Sequence, residues 1–336
     1  MEDPHGHKIS YLRVSITDRC NERCHYCLPE ESQQWLERKE ILSYEEILRT
    51  IRVAASLGVS KIRVTGGEPL TRRGVLSFLS EIKAIPGIEQ LGISTNGSLL
   101  TRQAYPDSPA TNAQALQKCG VDSVNISLDT LDRETYAKTT GRDYLPQVID
   151  GIRACKSSGI ASIKINSVLM RGRNEHEVWD LIEFARAEGV LLRFIELMPV
   201  STSEVLTEHN FLSVGEAKKL VEFRLGALTS LPEFRTNGPA KYFQVPETDQ
   251  KIGFIGAMTA EHFCSTCNKL RLTCDGKLRP CLGSHLEFDL KNTLRASDKN
   301  DDDIRSSFLN VVENKPESHE FLNNYQPGRK MIAIGG

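Results

Sequence analysis

The sequence predicts an α/β protein, built as a partial (β/α)6 barrel of the TIM type followed by a small α+β domain. Two observations predict this architecture. Six short β-rich runs recur over residues 11–197 with helical patterns between them, and such alternation is typical of βαβ units that form a parallel sheet. After about residue 199 the alternation stops and mixed patterns surround a Cys-rich hairpin, which indicates a second domain.

The elements of the predicted barrel follow one another in a regular order. The predicted strands cover residues 11–16, 61–65, 91–95, 123–128, 162–169 and 191–197. Predicted helices cover residues 75–85, 113–119, 147–158 and 175–187, and another begins after Ser43, which forms an N-terminal capping box with Glu46. In such a barrel, reactive residues gather at the carboxyl ends of the strands and in the loops that follow them.

The C-terminal part combines a predicted helix over residues 214–224 with predicted strands over residues 242–245 and 251–255. We therefore divide the chain into an N-terminal extension (1–10), the partial barrel (11–199) and a C-terminal domain (200–336). The sequence ends in Gly335-Gly336, and a glycine tail is expected to be disordered unless something holds it.

Composition and charge exclude several classes of protein. The 336 residues carry a formal net charge of -2, so no sequence-wide attraction draws the chain to nucleic acid or to an anionic membrane. The first residues lack the features of a secretory signal and no apolar run could span a bilayer, so we expect a cytoplasmic location. Nine cysteines in such a protein are not expected to form disulfides, and clustered ones are expected to bind metal.

Cys20, Cys24 and Cys27 form a C-x3-C-x2-C motif directly after the first predicted strand. Thiolates hold 4Fe-4S clusters, and a cluster with only three of them leaves one iron open to a small molecule. An open iron can chelate the amino and carboxylate groups of S-adenosylmethionine (SAM), whose reductive cleavage yields a 5'-deoxyadenosyl radical. A zinc knuckle is the alternative, but zinc sites normally close with four ligands at C-x2-C or C-x4-C spacing.

This spacing, with Tyr26 just before the last cysteine, resembles the radical SAM superfamily. The segment Gly66-Gly67-Glu68-Pro69, which ends the second strand, is similar to the superfamily motif that binds the SAM amino group. The resemblance implies a barrel of the radical SAM type, with SAM contacts from Tyr26 and Gly67.

Cys264, Cys267 and Cys281 form a second group, with Cys274 between the last two. A four-cysteine zinc site is therefore one interpretation of this region. The alternative is a second 4Fe-4S cluster on three thiolates, which again leaves one position open.

The turn at Asp275-Gly276 bears on this choice, because Asp-Gly predicts a two-residue type I' hairpin. Such a turn pairs Cys274 with Lys277 and Leu270 with Cys281. Cys281 then returns toward Cys267, whereas Cys274 stays at the tip, roughly 13–20 Å away. The hairpin therefore favours three ligands and a cluster over zinc.

Residues 263–271, Phe-Cys-Ser-Thr-Cys-Asn-Lys-Leu-Arg, with Cys281 after them, resemble the C-terminal cluster motif of the GTP 3',8-cyclase family. The resemblance implies a C-terminal cluster-binding domain in which the open iron faces the guanine of GTP. Ser127 and Met198 match further SAM-contacting positions of that family, although Met198 on its own would be interpreted as a core residue.

The phosphates of a nucleotide need cations, and the chain has neither a G-x4-G-K-[ST] loop nor a G-x-G-x-x-G motif. Basic residues lie instead within the predicted strands: Arg13, Arg63, Lys164 and Arg193. Because positive charge inside a barrel is costly unless an anion accompanies it, together they favour a buried anionic ligand.

The family resemblance specifies the GTP contacts further. It implies contacts from seven residues: Arg13, Arg63, Ser94, Lys164, Lys269, Leu270 and Arg271. The sequence departs from the family at two of them. Ser94 replaces the usual Thr and keeps its hydroxyl, whereas Lys269 replaces an Arg and loses the bidentate fork, so substrate affinity is expected to be lower.

The resemblance implies a lyase that abstracts the ribose 3' hydrogen of GTP and closes a bond to C8, the first step of molybdenum cofactor biosynthesis. Its implied partners are GTP, an unidentified electron donor, a downstream cyclic pyranopterin monophosphate synthase and a possible second copy of the chain. The glycine tail is implied to reach the active site. Two alternatives remain: another radical SAM enzyme with an auxiliary cluster, such as a peptide maturase, and a non-catalytic zinc or electron-transfer protein.

Overall fold

The computed structural model describes residues 1–28, 35–200, 206–236, 238–323, 325 and 328–335. Within these segments, twelve strands form one large sheet and two more form a separate hairpin. The strands of the first 200 residues are β1 (Tyr11–Ser15), β2 (Lys61–Thr65), β3 (Gln90–Thr95), β4 (Gln103–Tyr105), β5 (Ser108–Thr111), β6 (Ser123–Ser127), β7 (Ser162–Leu169) and β8 (Leu191–Glu196).

Six of these strands form the parallel centre of the sheet, in the order β1-β2-β3-β6-β7-β8. All six predicted strands are confirmed to within one residue at either end. β4 and β5, which the sequence patterns did not predict, form the small hairpin between β3 and the following helix.

Helices connect the parallel strands. They are α1 (Tyr44–Ser56), α2 (Val75–Lys83), α3 (Asn112–Lys118), α4 (Arg133–Thr140), α5 (Leu145–Ser157) and α6 (Val178–Glu188). The predicted capping box of α1 is confirmed: the Glu46 N–H donates to Ser43 Oγ, and Ser43 N–H donates to Glu46 Oε2 at 2.6 Å. Their apolar faces and those of the strands build one large hydrophobic core.

The chain after residue 200 adds strands to both edges of this sheet. Its elements are α7 (Val214–Leu225), β9 (Thr229–Ser230), β10 (Lys241–Gln244), β11 (Lys251–Ile255), β12 (Lys269–Leu272), β13 (Lys277–Arg279), β14 (Phe288–Asp289), α8 (Leu290–Arg295), α9 (Asp301–Glu313) and α10 (Met331–Ile334). β11 pairs in parallel with β8, and β12 pairs in parallel with β1. The second cysteine motif therefore lies beside the strand that leads into the first.

The hairpin register predicted from Asp275-Gly276 is wrong by one residue. β12 and β13 pair Arg271 with Arg279 and Leu272 with Leu278, which leaves three residues in the turn instead of two. The Gly276 N–H donates to the carbonyl oxygen of Thr273 at 3.0 Å, and Gly276 takes the left-handed conformation at φ +82°. The turn is thus a three-residue loop with glycine in its left-handed position, a common alternative to the two-residue hairpin.

Candidate active site

The inner face of the sheet opens into a cavity of about 980 Å³. Side chains alternate along each central strand, so Leu12 and Ile62 join the core while Arg13 and Arg63 line the cavity. The lining includes the following predicted site residues: Arg13, Cys20, Cys24, Tyr26, Cys27, Arg63, Gly67, Ser94, Ser127, Lys164, Met198, Cys264, Cys267, Lys269, Arg271 and Cys281. Both cysteine groups and the basic residues therefore share one cavity.

The first triad, Cys20, Cys24 and Cys27, lies in the loop after β1. The Cys27 N–H donates to the carbonyl oxygen of Cys24 at 2.9 Å, which closes a tight turn between two of the thiols. The backbone N–H of Glu22 donates to Cys20 Sγ at 3.4 Å. Burial, followed by the charge of Glu68, raises the pKa of the Cys20 thiol to about 12, so without a cation this thiol stays protonated.

The Gly66-Gly67 segment packs against this loop without a gap. The Gly67 N–H donates to the carbonyl oxygen of Thr17 at 2.7 Å, and the Glu68 N–H donates to that of Arg19 at 2.8 Å. A Cβ on Gly67 would overlap the Arg19 carbonyl oxygen, so glycine is required by the close approach of two backbones.

Glu68 then fixes the end of the next strand. Its fully buried carboxylate accepts hydrogen bonds from Thr95 Oγ1 at 2.9 Å and the Asn96 N–H at 2.7 Å. Burial raises the pKa of Glu68 to about 7 despite these donors. The Asn96 amide in turn donates to Asn21 Oδ1 at 2.9 Å, so Glu68 holds the loop of the first triad through Asn96.

Two further buried carboxylates lie beside the first triad. Asp129 accepts a hydrogen bond from the Tyr26 hydroxyl at 2.6 Å, and Glu22 accepts one from the Tyr136 hydroxyl at 2.6 Å. Burial raises the pKa of Glu22 to about 7 and that of Asp129 to about 6. The first triad thus lies beside acidic groups whose pKa values are raised by burial.

The second triad, Cys264, Cys267 and Cys281, receives a backbone donor at each thiol. These N–H groups belong to His319, Lys269 and Gly283 respectively. Burial nevertheless outweighs these donors at Cys264 and Cys281 and raises the pKa of both thiols.

A lysine gives the second triad its own electrostatics. Burial raises the pKa of Cys267, but the ammonium groups of Lys315 and Lys269 lower it by more, so the net pKa lies below its usual value. Lys315 Nζ donates to Cys267 Sγ at 3.6 Å. Nothing in the sequence around Lys315 distinguished it from a surface lysine.

Cys274 lies apart from this group, as the hairpin predicted. It is fully buried; its N–H donates to the carbonyl oxygen of Ala333 at 3.3 Å, and its own carbonyl oxygen accepts from the Leu42 N–H at 2.8 Å. Cys119 and Cys155, which lie in or beside α3 and α5, are buried away from the cavity.

Among the described residues, no three His, Cys, Asp or Glu side chains come close enough together to chelate one metal ion. A 4Fe-4S cluster does not need that convergence, because each thiolate binds a different iron at a different corner of the cluster.

Arg63 makes three hydrogen bonds within the described residues. Its guanidinium donates to the Tyr11 hydroxyl at 2.8 Å, the Ile93 carbonyl oxygen at 3.0 Å and Ser123 Oγ at 2.8 Å. All three acceptors are neutral, so within the described residues no carboxylate offsets its charge.

Lys164 and Arg193 are also buried beside neutral partners. Lys164 Nζ donates to Ser162 Oγ at 2.5 Å, and the Arg193 guanidinium donates to Asn166 Oδ1 at 2.6 and 2.9 Å. Burial, and then the charges of Arg193 and Arg63, lower the pKa of Lys164 to about 7. An anion in the cavity would restore the ordinary pKa, so the site is suited to phosphate.

The C-terminal tail reaches these cations. Arg271 donates to the carbonyl oxygen of Gly335 at 2.7 Å, and Gly335 lies against Thr65 and Ser15 with φ +86°. Gly335 therefore lies beside Arg271 and Thr65, two residues that line the cavity. Gly336 lies outside the described residues.

Leu270 is the one predicted contact that does not line the cavity. It is fully buried in the hydrophobic core, because it alternates with Lys269 and Arg271 along β12. Its side chain thus points to the opposite face of the sheet.

Family models match most of the chain. The model for the radical SAM superfamily matches residues 14–185, and the model for molybdenum cofactor synthesis C matches residues 190–321. A GTP 3',8-cyclase of Petrotoga mobilis is 39% identical over 100% of both chains. A GTP 3',8-cyclase of Moorella thermoacetica is 41% identical over 100% of both chains. That of Ectopseudomonas mendocina is also 41% identical, over 99% of this chain and 98% of the other. The chain belongs to the GTP 3',8-cyclase family.

Solved structures share the fold of this member of the cyclase family. Streptococcus suis SuiB bound to the precursor peptide SuiA superposes with a TM-score of 0.62 at 14% identity, over 98% of this chain and 70% of that one. Native anSMEcpe with bound AdoMet gives a TM-score of 0.57 at 14% identity, over 93% and 82% of the two chains. At such identities the likeness shows the radical SAM fold alone.

Membership of this cyclase family makes the protein a radical SAM enzyme, which uses SAM and a 4Fe-4S cluster. None of the helices in the described segments is long and apolar enough to cross a membrane.

Proposed function

We propose that the protein converts GTP into (8S)-3',8-cyclo-7,8-dihydroguanosine 5'-triphosphate, the first step of molybdenum cofactor biosynthesis. The observation that carries this proposal is the joint lining of one cavity by two cysteine triads and a group of buried cations. Identity of 39% over the full length of a GTP 3',8-cyclase supports the same conclusion.

The first triad would hold a 4Fe-4S cluster with one open iron, and Tyr26, Gly67, Ser127 and Met198 would hold SAM beside it. When bound together, cluster and SAM supply the 5'-deoxyadenosyl radical that takes the ribose 3' hydrogen. The residues of the chain orient the reactants: the Gly67 backbone brings the SAM pocket against the cluster loop, and Asp129 fixes the Tyr26 ring through its hydroxyl.

The second triad would hold another 4Fe-4S cluster, and its three thiols would leave one coordination position for the substrate. Three thiols that each accept a backbone N–H, beside the ammonium of Lys315, support an anionic centre there. The triphosphate would lie among Arg13, Arg63, Lys164 and Arg271, with further contacts from Ser94, Lys269 and the backbone at Leu270. These contacts would hold ribose C3' near the SAM site and guanine C8 near C3'. Such orientation supplies much of the acceleration of a reaction.

Anaerobic reconstitution followed by turnover tests the proposal. We expect about eight irons per chain, and with SAM, a strong reductant and GTP we expect 5'-deoxyadenosine and the cyclised nucleotide. Deuterium at the ribose 3' position should appear in the 5'-deoxyadenosine. Cys24→Ala and Cys267→Ala should abolish cyclisation, whereas Cys119→Ala, a buried thiol outside the cavity, serves as the matched control.

Other outcomes would indicate a different function. If 5'-deoxyadenosine forms without GTP and no cyclised nucleotide appears, the protein is another radical SAM enzyme, such as a peptide maturase. Colourless protein, or iron without SAM cleavage, would indicate a zinc or electron-transfer protein instead.

The remaining assignments also belong to this proposal. We place the protein in the cytoplasm, with no nucleic-acid or membrane partner. We divide the chain into an N-terminal extension (1–10), the partial barrel (11–199) and the C-terminal domain (200–336). Its partners would be an electron donor of unidentified nature, the downstream cyclic pyranopterin monophosphate synthase and a possible second copy of the chain.

A further inference from the structure

Lys315 lies behind the second triad, two residues after α9. Its side chain is buried, with the residue 4% exposed. Its ammonium donates to the carbonyl oxygens of Pro280 at 2.6 Å and Lys269 at 3.2 Å, and to Cys267 Sγ at 3.6 Å. Pro280 precedes Cys281, so one ammonium joins the two segments that carry Cys267 and Cys281.

This ammonium forms no salt bridge with a carboxylate in the part of the chain that the structure describes. Within the described residues its hydrogen-bond acceptors are two carbonyl oxygens and one sulfur. A buried cation is costly unless an anion accompanies it, and the thiolates of the second triad would supply a formal negative charge beside it. The charge of Lys315 and the charge of the triad therefore stabilise each other.

The first triad has the opposite surroundings. There the buried carboxylate of Glu22 accepts a hydrogen bond from Cys24 Sγ at 3.8 Å, whereas in the second triad the Lys315 ammonium donates to Cys267 Sγ. Adding an electron to a cluster adds negative charge, so a fixed cation nearby favours the reduced state and nearby carboxylates oppose it.

We propose that Lys315 is a positioning residue that holds Cys267 and Cys281 in register and raises the reduction potential of the second cluster. This inference rests on the proposed presence of that cluster. It does not depend on any change in the protonation of Lys315, because a permanently charged side chain at this position would act in the same way.

Redox titration followed by electron paramagnetic resonance tests the role of this charge. The experiment uses a full-length variant with Cys20→Ala, Cys24→Ala and Cys27→Ala, so that only the second cluster contributes a signal. In this background we compare Lys315, Lys315→Met and Lys315→Arg at equal iron content, about four per chain. The matched control is Lys291→Met. It removes the charge of a different lysine, which lies on α8 and is paired with Glu40.

We expect Lys315→Met to shift the midpoint potential to more negative values. At the potential that half-reduces the parent, its ratio of reduced to oxidised cluster should fall by about tenfold, in line with the loss of a charged hydrogen bond. Lys315→Arg keeps the charge and should stay close to the parent, as should Lys291→Met.

Equal midpoint potentials in the parent and in Lys315→Met would overturn the inference while leaving the second cluster in place. Absence of iron from the parent would overturn the second cluster itself, and the inference with it. If Lys315→Met does not retain iron, Lys315→Gln gives the same comparison, since its neutral amide still donates to the carbonyl oxygens of Lys269 and Pro280.

Discussion

Ser94 presents a buried hydroxyl to the cavity that makes no hydrogen bond within the described residues. Removal of this hydroxyl leaves no protein group without a hydrogen-bond partner. Its loss should therefore affect the binding of a ligand and not the stability of the fold. We expect Ser94→Ala to raise the KM for GTP by about 2–10-fold, the worth of one net hydrogen bond, and to leave the midpoint of urea unfolding unchanged. Steady-state kinetics and urea denaturation measure the two quantities.

Ser98 provides the contrast. Its Oγ donates to Asn96 Oδ1 at 2.8 Å and accepts from the Asn21 amide at 2.9 Å. Ser98→Ala should therefore lower the free energy of unfolding by about 1–3 kcal/mol. An unchanged KM in Ser94→Ala, at unchanged stability, would remove Ser94 from the substrate site.

The sequence predicted individual residues where a local pattern carried the information. The cysteine spacings were sufficient for both triads, and both do line one cavity. The side-chain direction of Leu270 could have been predicted from the alternation between Lys269 and Arg271. Lys315 could not, because its contacts at Cys267 and Pro280 join segments 48 and 35 residues away, and nothing local marks such a contact.

The Gly66-Gly67 segment holds the loop of the first triad in place through contacts between the two backbones. We expect Gly67→Ala to displace that loop, because its Cβ would overlap the Arg19 carbonyl oxygen. Iron should fall from about eight to about four per chain, and SAM cleavage should be lost while the second cluster remains. Iron analysis and the yield of 5'-deoxyadenosine measure this.

Gly328 is a suitable control position, since a Cβ there meets nothing within 4 Å. Gly328→Ala should keep all of its iron and its activity. Should Gly67→Ala retain about eight irons with normal SAM cleavage, the close approach seen here would not be needed for the cluster.

The elements themselves were predictable because each has a local signal. The capping box at Ser43 and the alternating β-rich runs fix α1 and the six central strands. The pairing of β12 with β1 and of β11 with β8 was not predicted, since parallel pairing between distant segments leaves no local pattern. The Asp275-Gly276 turn was misassigned because Asp-Gly suits both two-residue and three-residue loops.

The molecule as a whole concentrates buried charge of both signs around one cavity. Near the first triad, Glu22 and Glu68 have pKa values raised to about 7 by burial, and that of Asp129 is raised to about 6. Across the cavity, the pKa of Lys164 is lowered to about 7, again mainly by burial. In the absence of ligands, burial therefore shifts each of these pKa values in the direction that favours the neutral form.

This arrangement predicts how the stability of the cluster-free, nucleotide-free protein depends on pH. Between about pH 5 and 7 the folded state keeps protons on the three carboxyl groups that the unfolded chain has released, so stability falls as the pH rises. Above pH 7 the folded state has lost the Lys164 proton that the unfolded chain keeps up to its ordinary pKa, so stability rises again. We expect a minimum near pH 7.

Urea denaturation of the cluster-free protein at intervals from pH 5 to 9 measures this profile. Each group with a pKa shifted by about two units contributes up to about 3 kcal/mol. Glu68→Gln should flatten the acidic limb and Lys164→Met the alkaline limb, whereas a profile with its maximum near pH 7 would contradict the prediction. Bound triphosphate should flatten the alkaline limb in the same way, because the negative charge of phosphate offsets that of the lysine and restores its ordinary pKa. The buried lysine that destabilises the empty cavity is therefore a group whose charge the triphosphate would offset.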